Sequence, residues 1–405
     1  MDVDLAIVGA GGAGLSLVLA LDRLAAGAAG AGRSQLTIAL VDPVHRVAND
    51  RTWCFWDRAG DLRSAVGDAV HRTWSQVLLV DQAGRERVLP LDDLRYLMVR
   101  SADLYALADA AAARLGVTRV AAAVESVSDG PDRATVRVAG QEIRAQWVFD
   151  SRPSPARLPG NVTLLQHFRG WTVRFDRPGF DPELPVLMDF SVPQPARGVA
   201  FGYVLPSDAC TGLVEYTEFS RDRLAGAAYD GALRAYLDRR WAGAGYAIED
   251  VEDGAIPMTD AVFARRAGQR VFRLGTAGGA TRPSTGYTFA AMQRQAASVA
   301  AALLAGRDPE PPAPHQLRHR WMDAVLLRAI DRSYLDGAAL FTRLFEANRP
   351  ARVLDFLDGA TTLGQDLALM RSAPLLPMTR ATVDDAAARI RRRALTHRAI
   401  AVPGN

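Results

Sequence analysis

The sequence predicts an α/β fold with a parallel nucleotide-binding sheet, an inserted antiparallel sheet and a helical C-terminal region. Three observations predict it. An apolar strand at the N-terminus leads into a glycine-rich loop and a helix; residues 160–260 contain strand patterns separated by Pro and Gly; and the chain after residue 310 has mostly helical periodicity. The 405 residues are 49% apolar, which suits two or three structural units with a large core.

The N-terminal element is a strand, loop and helix. Residues 5–8 are apolar, Gly9, Gly11 and Gly14 give the pattern G-x-G-x-x-G, and an amphipathic helix follows. The first glycine allows a tight turn, the second lets the backbone approach a pyrophosphate, and the third lets the helix pack on the strand. Phosphates bind at such a helix N-terminus because its free N–H groups favour negative charge. The element therefore predicts dinucleotide binding.

The next strand, residues 36–41, ends at Asp42, a candidate ligand for the adenosine ribose hydroxyls. The Gly/Ala-rich insert at residues 25–35 accounts for a spacing longer than the usual one of about 20 residues. The alternative is that Asp42 caps the turn that it forms with Pro43.

A second glycine-rich stretch lies near residue 280. A strand over residues 271–274 leads through Gly275, Gly278 and Gly279 into a helix near Thr288, which suits a phosphate or ribityl chain. The segment 49–57 is not a second βαβ unit and is expected to lie across an extended cofactor. Two such sites at opposite ends of the chain favour one long dinucleotide, FAD. The alternative is a plain turn between a strand and a packing helix.

The remaining patterns give the domain organisation. Strands are predicted between residues 70 and 90, a helix over 94–115, and a strand that returns to the nucleotide sheet and ends at Asp150. We predict a discontinuous FAD-binding domain, an inserted substrate-binding sheet domain and a C-terminal helical region. The FAD-binding domain comprises residues 1–50, 91–155 and 265–310. The substrate-binding sheet domain comprises 51–90 and 156–264, and the helical region is 311–405.

Composition argues against several classes of protein. A net charge of +3 without a dense Lys/Arg stripe does not indicate nucleic-acid binding, and no Cys/His spacing indicates a metal site. Cys54 and Cys210 are far apart, so we expect a reducing cytoplasm. The acidic residues and glycines near the N-terminus are not those expected of a signal peptide, and no run of about 18 uncharged apolar residues predicts a membrane span. The basic run at residues 391–398 is either a disordered tail or the end of a membrane-surface helix.

The stretch GLVEYTEFS, residues 212–220, has strand-favouring residues interrupted by two acids. Strand alternation places Leu213, Glu215, Thr217 and Phe219 on one face and Glu218 on the other. One glutamate can then be buried while Glu218 is solvated. From the residues alone, an exposed edge-strand acid remains the alternative for Glu215.

Nine motifs, in this order, resemble the bacterial lycopene cyclases, and most closely their actinobacterial branch. They are GAGGAG, NDRTWCFW, VFDSRP, LLQHFRGW, LMDF, FGYVLP, LVEYTEFS, IPMTD and GTAGGATRPSTGYTF. The resemblance implies a Rossmann-like FAD domain of the flavoprotein hydroxylase and glutathione-reductase type. It also implies reduced FAD as the active cofactor, NAD(P)H as reductant, and a cytoplasmic enzyme on the inner face of the cell membrane, with lycopene as substrate.

The resemblance implies a reaction without net redox change, in which the ψ-ends of lycopene close to β-ionone rings, giving γ-carotene and β-carotene. Protonation at C2 creates a cation, the C5=C6 bond attacks it, and loss of the C6 proton gives the β ring. Glu215 is the candidate acid/base, because a carboxyl in an apolar pocket stays protonated. The candidate cofactor contacts are Gly9, Gly11, Gly12, Gly14, Asp42, Arg51, Trp53, Asp150, Gly275, Gly278, Gly279, Thr285 and Gly286.

Two departures limit the resemblance. Plant relatives have two adjacent acids where this chain has Glu215 and Tyr216, and flavin hydroxylases usually have Gly-Asp where it has Gly275-Thr276. The second departure argues against ordinary hydroxylase chemistry. A monooxygenase, an isoprenoid reductase and a non-catalytic flavin-binding carotenoid carrier are the alternatives.

Several other side chains have open roles. Arg51 binds the cofactor or pairs with Asp57. His167 is a structural or a proton-carrying histidine, and Asp189 is equally open. Aromatic candidates for stabilising a cation, with ordinary packing as the alternative, are Trp53, Phe55, Trp56, Trp171, Tyr203 and Tyr287.

Overall fold

The computed structural model describes residues 1–27, 36–58, 60–153 and 160–400. Its strands are β1 (Asp2–Val8), β2 (Ile38–Val41), β3 (Thr52–Asp57), β4 (Val70–Trp74), β5 (Gln76–Val80), β6 (Glu86–Pro90), β7 (Arg95–Arg100), β8 (Thr118–Val120), β9 (Val124–Ser128), β10 (Ala134–Val138), β11 (Gln141–Asp150), β12 (Thr163–Phe175), β13 (Val186–Asp189), β14 (Val199–Pro206), β15 (Thr211–Ser220), β16 (Tyr246–Thr259) and β17 (Val271–Arg273). Its α-helices are α1 (Gly12–Gly27), α2 (Asp61–Val66), α3 (Ser101–Arg114), α4 (Gly226–Arg240), α5 (Phe289–Leu304), α6 (Leu317–Asp331), α7 (Gly337–Ala347), α8 (Pro350–Asp358), α9 (Leu363–Met370) and α10 (Leu375–Ile400).

The first sheet is the predicted nucleotide-binding sheet. Its order is β8-β2-β1-β11-β10-β9, with β17 also beside β11. Strands β8, β2, β1, β11 and β17 are parallel, whereas β9 and β10 form an antiparallel extension. Helices α1, α3 and α5 pack together on one face, where their apolar residues form a buried cluster. The strand that ends at Asp150 therefore returns to this sheet, as predicted.

The second sheet is the inserted antiparallel sheet. Its order is β16-β12-β15-β14-β13-β5-β6, and all pairs are antiparallel except β13 with β5. Helix α4 covers one face through Tyr229, Leu233 and Tyr236, which pack with Trp171 and Val214. The other face packs against α7 and α8 in part and borders the cavity described below.

A third sheet, β3-β7-β4, was not predicted. The prediction of a helix over residues 94–115 was wrong in its first part, since residues 95–100 form strand β7 and the helix begins at Ser101. Ser101 Oγ accepts hydrogen bonds from the backbone N–H groups of Asp50 and Arg51, at 2.8 and 2.9 Å. This contact ties the start of α3 to the segment before β3.

The C-terminal helices are attached through a buried ion pair. Arg282, in the loop before α5, pairs with Asp323 of α6 at 2.8 Å between Nε and Oδ2, and both side chains are almost fully buried. Ser284 Oγ donates to Asp323 Oδ1 at 2.7 Å. Asp323 therefore fixes the second glycine-rich loop through Arg282 and Ser284, although Asp323 itself lies outside the predicted motif. The backbone of the basic run at 391–398 continues α10, and side chains from residue 393 onward lie outside the described part.

Substituting Arg282 by Met is expected to destabilise the protein by about 3–5 kcal/mol, because Asp323 is left as an uncompensated buried charge. The double variant Arg282→Met/Asp323→Leu is expected to recover most of this loss, since the charge is removed with its partner. Urea denaturation measures both free energies of unfolding. Equal losses in the single and double variants would show that packing, not charge, dominates here.

Candidate functional site

One cavity of about 500 Å³ lies between the parallel sheet and the inserted sheet. Gly11, Gly12 and Ala13 of the first glycine-rich loop line one part, and side chains of β12, β14, β15 and β16 line another. Phe341 of α7 and Leu357 of α8 border it from the C-terminal region. The predicted nucleotide loop and Glu215 therefore face the same cavity.

Eight of the predicted site residues line this cavity. They are Gly11, Gly12, Arg51, Trp53, Glu215, Gly275, Thr285 and Gly286. A Cβ atom on Gly11 would meet no atom within 4 Å, so the backbone there is open to a ligand. A Cβ on Gly12 would lie 2.8 Å from Met292 Cε and 3.1 Å from Trp53 Cζ2. Close packing therefore explains why this position is a glycine.

Six predicted cofactor contacts do not border the cavity: Gly9, Gly14, Asp42, Asp150, Gly278 and Gly279. Gly14 supports the loop by packing, because a Cβ there would lie 2.0 Å from Gly9 O. Asp42 accepts hydrogen bonds from Ala10 N and Val44 N, both at 2.8 Å, so it joins the glycine-rich loop to the following turn.

The remaining three members of that group also have local partners. Asp150 forms an ion pair with Arg152 at 2.8 Å. Gly278 lies against the backbone of β17, where a Cβ would be 2.4 Å from Arg273 O. Gly279 ends the 3-10 turn Gly275–Gly278 with φ of 78°.

A row of four residues crosses the inserted sheet at the cavity. Tyr203 of β14 pairs with Glu215 of β15, Glu215 pairs with Gly170 of β12, and Gly170 pairs with Glu252 of β16. Residues directly opposite each other on paired strands share a face. The side chains of Tyr203, Glu215 and Glu252 all line the cavity. Glu252 was not predicted from the sequence, since only the pairing of β16 with β12 places it beside Glu215.

The two carboxyls of this row have raised pKa values for different reasons. Burial and the nearby Glu252 carboxyl raise the pKa of Glu215 well above its ordinary range. Burial raises the pKa of Glu252 to about 7, while a hydrogen bond from Thr52 N to Glu252 Oε1, at 3.0 Å, and the charge of Arg51 act in the opposite direction. Glu215 is therefore held as a neutral acid, whereas Glu252 titrates near neutrality.

Aromatic side chains form much of the remaining wall. Of the six predicted candidates, Trp53, Tyr203 and Tyr287 border the cavity. The hydroxyl of Tyr96 joins those of Tyr203 and Tyr287, at 2.5 and 3.3 Å. Phe55, Trp56 and Trp171 do not border the cavity. The wall also contains Phe219, which strand alternation places on the face of Glu215, and four phenylalanines that the sequence did not predict: Phe168, Phe201, Phe289 and Phe341.

Glu218 points away from the cavity, but the expectation that it is solvated was wrong, since it is 6% exposed. Tyr216 shares that face, with its hydroxyl donating to Glu218 Oε2 at 3.4 Å. Helix α4 covers this side of β15, so strand alternation separates two buried faces instead of a buried and a solvated one. Burial raises the pKa of Glu218.

Three other candidate site residues have hydrogen-bond partners within the protein. His167 is buried between Tyr229 OH, at 2.6 Å from Nδ1, and Ser220 Oγ, at 2.8 Å from Nε2, and burial lowers its pKa to about 4. Asp189 accepts a hydrogen bond from Tyr236 OH at 2.9 Å. Neither borders the cavity. Arg51 does border the cavity, and its Nη1 donates to Asp50 O at 2.5 Å, whereas Asp57 Oδ2 accepts from Arg63 N at 2.9 Å.

The cavity walls fit a dinucleotide with a flavin ring. The open backbone at Gly11 adjoins the N-terminus of α1, which favours phosphate. Gln166 Oε1 is buried at the wall with no hydrogen-bond partner within the described residues, and it offers an acceptor to an N–H group of a ligand. Gly286, with φ of 71°, lies so close to Gln166 that a Cβ would be 1.9 Å from Oε1.

A family model described as "Lycopene cyclase protein" matches residues 4–383. The chain belongs to the lycopene cyclase family. The predicted family membership is thereby confirmed. A comparison with the curated proteins finds no match. Among the described residues, no helix is long and apolar enough to cross a membrane.

Solved structures share the fold at low sequence identity. A geranylgeranyl bacteriochlorophyll reductase-like protein from Thermoplasma acidophilum is 11% identical over 94% of this chain and 98% of its own, with a TM-score of 0.59. The flavin-dependent monooxygenase PieE, solved with FAD and substrate, is 17% identical over 96% of this chain and 72% of its own, with a TM-score of 0.59. The flavin-dependent brominase Bmp2 is 15% identical over 89% of this chain and 94% of its own, with a TM-score of 0.58. The predicted fold class is confirmed.

The buried acids of this family member make its stability pH-dependent. The folded protein keeps a proton on Glu252 up to about pH 7, whereas the unfolded chain releases it near 4.5. Stability therefore falls as pH rises through this window. At about 1.36 kcal/mol per pKa unit, the loss through Glu252 is roughly 3 kcal/mol.

We expect Glu252→Gln to have nearly wild-type stability at pH 5 and to exceed wild type by roughly 2–4 kcal/mol at pH 8, because an amide cannot ionise. Urea denaturation at the two pH values measures the difference in free energy of unfolding between the variant and wild type. An equal difference in free energy of unfolding at both pH values would contradict the assignment of Glu252 as a buried, titrating acid.

Proposed function

We propose that this protein is an FAD-dependent lycopene β-cyclase, an isomerase that closes the ψ-ends of lycopene to β-ionone rings without net redox change. The observation that carries the proposal is the cavity in which Glu215 faces the first glycine-rich loop. Family membership supports the substrate class, and flavoproteins among the structural neighbours support FAD.

The chain's own residues supply the acid and exclude water. Glu215, held neutral by burial, donates a proton to C2 of the terminal alkene. The faces of Phe168 and Phe219 surround the reacting end with apolar surface, where cation–π attraction stabilises positive charge. Tyr203 and Tyr287 keep neutral hydroxyls, since burial raises the pKa of both. A dry wall of this kind favours ring closure over capture of the cation by water.

Gly11, Gly275 and the N-terminus of α1 would hold the cofactor phosphates, and Gln166 would accept a hydrogen bond from the flavin ring. Reduced FAD, when bound, supplies an electron-rich anion that stabilises nearby positive charge. NAD(P)H is the proposed reductant that maintains this form.

Anaerobic incubation of the purified protein with lycopene, FAD and a reductant tests the proposal. We expect γ-carotene and β-carotene, with reductant consumed only to reduce the flavin once. An oxygen-dependent product or saturated double bonds would indicate a monooxygenase or an isoprenoid reductase. Binding of FAD and lycopene with no product would indicate a carrier.

We further propose that the protein works on the inner face of the cell membrane, because its substrate is a water-insoluble C40 hydrocarbon. Apolar side chains on α9 and α10 support this: Leu375 and Leu376 are 78% and 82% exposed, and Leu363, Leu367 and Ile390 are exposed as well. Exposed leucines on helices that also carry arginine are typical of membrane-surface segments.

Sedimentation with phosphatidylglycerol/phosphatidylcholine vesicles tests the membrane contact. We expect the variant Leu375→Asp/Leu376→Asp to lose most of its binding, because two charges replace side chains that enter the lipid. The control is Val88→Asp, which charges an exposed apolar residue of the edge strand β6. Equal binding of all three proteins would refute this contact surface.

A further inference from the structure

We propose that Glu252 is the second catalytic carboxyl of this cavity, and that it removes the C6 proton after Glu215 has donated a proton at C2. The inference rests on the proposed cyclase function and adds the base to it. It assigns the two proton transfers to two different strands of the inserted sheet.

The geometry that carries the inference centres on Gly170. This residue lies between Glu215 and Glu252 in the sheet, paired with the first on β15 and with the second on β16. A Cβ on Gly170 would lie 2.6 Å from Glu215 Cγ and 3.1 Å from Glu215 Oε1. The Glu215 side chain therefore leans over the space that a side chain at position 170 would fill. No side chain of β12 stands between the two acids in this row.

The surroundings of the two acids separate their roles. Glu252 Oε1 accepts a hydrogen bond from Thr52 N, and the charge of Arg51 acts in the same direction, so both oppose the effect of burial and Glu252 ionises more readily than Glu215. Glu215 is surrounded by Leu213 and aromatic walls, and the neighbouring Glu252 charge favours its neutral form. Two carboxyls with different environments, one neutral and one ionised, are the usual way in which an acid and a base work in one site.

The position after Glu215 cannot supply this base. Tyr216 occupies it, and adjacent residues of a strand point to opposite faces. Tyr216 lies on the face covered by α4, away from the cavity. An acid placed there would face the same way, and the other β15 residues at the cavity are Leu213, Thr217 and Phe219. A second carboxyl that reaches the substrate therefore comes from another strand. Glu252 is buried, lines the cavity and fulfils this condition.

The proposed steps balance. Glu215 transfers its proton to C2, the C5=C6 electron pair forms the bond from C6 to C1, and the positive charge moves to C5. The C6–H bond then breaks, its electron pair restores the C5=C6 bond, and Glu252 takes the proton. Return of this proton from Glu252 to Glu215 across the Gly170 gap restores both groups, so no net proton is consumed.

The test compares wild type, Glu215→Gln, Glu252→Gln and Glu218→Gln in D2O, with FAD, lycopene and reductant under anaerobic conditions. Ring products and recovered lycopene are analysed for deuterium by mass spectrometry. Glu218→Gln is the matched control, because Glu218 is a buried acid of the same strand that does not border the cavity. FAD binding and thermal unfolding verify that each variant is folded.

We expect Glu252→Gln to form rings at least about 100-fold more slowly, on the usual effect of losing a general base. Its recovered lycopene is expected to gain deuterium, since the protonation at C2 still occurs and reverses. Glu215→Gln is expected to show neither rings nor deuterium exchange, and Glu218→Gln to behave like wild type. If Glu252→Gln does not fold, Glu252→Asp keeps a carboxyl and is expected to retain partial ring formation with the same exchange.

Two outcomes would overturn the inference while the cyclase function stands. One is ring formation by Glu252→Gln at the wild-type rate. The other is a folded Glu252→Gln variant without deuterium exchange, which would place Glu252 in the protonation step. If wild type itself forms no ring, the proposed function fails, and the inference fails with it.

Discussion

Glu215→Gln is expected to lower the rate of ring formation by roughly 10²–10⁴-fold, the range for removal of a general acid. The amide has nearly the same shape as the protonated acid, so the cavity remains packed, but it cannot donate the proton that creates the C1 cation. Because burial holds Glu215 neutral, the substitution removes no charge from the folded protein. Product analysis by chromatography measures the effect under saturating FAD and reductant.

Glu218→Gln controls for this substitution, because it removes a buried carboxyl three residues away on the opposite face of β15. It is expected to retain wild-type activity. A Glu215→Gln variant that binds FAD and still forms rings at the wild-type rate would eliminate Glu215 as the acid. Equal losses in both variants would indicate that general damage to β15, not proton donation, controls activity.

Local patterns predicted much of the nucleotide-binding part of the fold. The strand, glycine-rich loop and helix at the N-terminus are specified by short-range spacing, and Gly14 lies as close to Gly9 O as a helix packed on the strand requires. The strand ending at Asp150 was predicted from its apolar run. Two-residue alternation was enough to place Leu213, Thr217 and Phe219 on the face of Glu215, and in the structure this face borders the cavity.

Tertiary contacts decided what the sequence pattern could not. Residues 95–100 have apolar residues that merge with the helical periodicity of α3, and they form a strand because β3 and β4 pair with them. Glu218 is buried because α4, the helix that follows β15 along the chain, packs over its face of the sheet.

Glu252 illustrates the same limit within the site. Its own strand, YAIEDVEDGAIPMT, contains four acids, and no spacing distinguishes the one that faces Glu215. The register of β16 on β12 selects it, through pairing with Gly170. The register of paired strands is a property of the folded sheet. A site residue whose position depends on that register can therefore be identified only when the sheet is known.

Gly170→Ala is expected to lower ring formation by about 100-fold with little loss of folding or FAD binding, on the scale that about 1 Å of misplacement costs in catalysis. The added Cβ would lie 2.6 Å from Glu215 Cγ and 2.9 Å from Leu213 Cδ1. Both atoms belong to side chains that can move, so the sheet tolerates the methyl group while the Glu215 carboxyl is displaced. Steady-state kinetics with lycopene measure kcat.

Gly202→Ala is the matched control on the opposite face of the sheet, where a Cβ would also lie 2.6 Å from a side chain, the ring of Tyr236. Because Tyr236 is a buried ring that packs under α4, this variant is expected to lose stability while its folded fraction keeps wild-type kcat. Opposite behaviour of the two glycine variants separates crowding at the acid pair from crowding in general. Wild-type kcat in Gly170→Ala would show that the gap between Glu215 and Glu252 is not needed for catalysis, and the proton return across it would have to take another path.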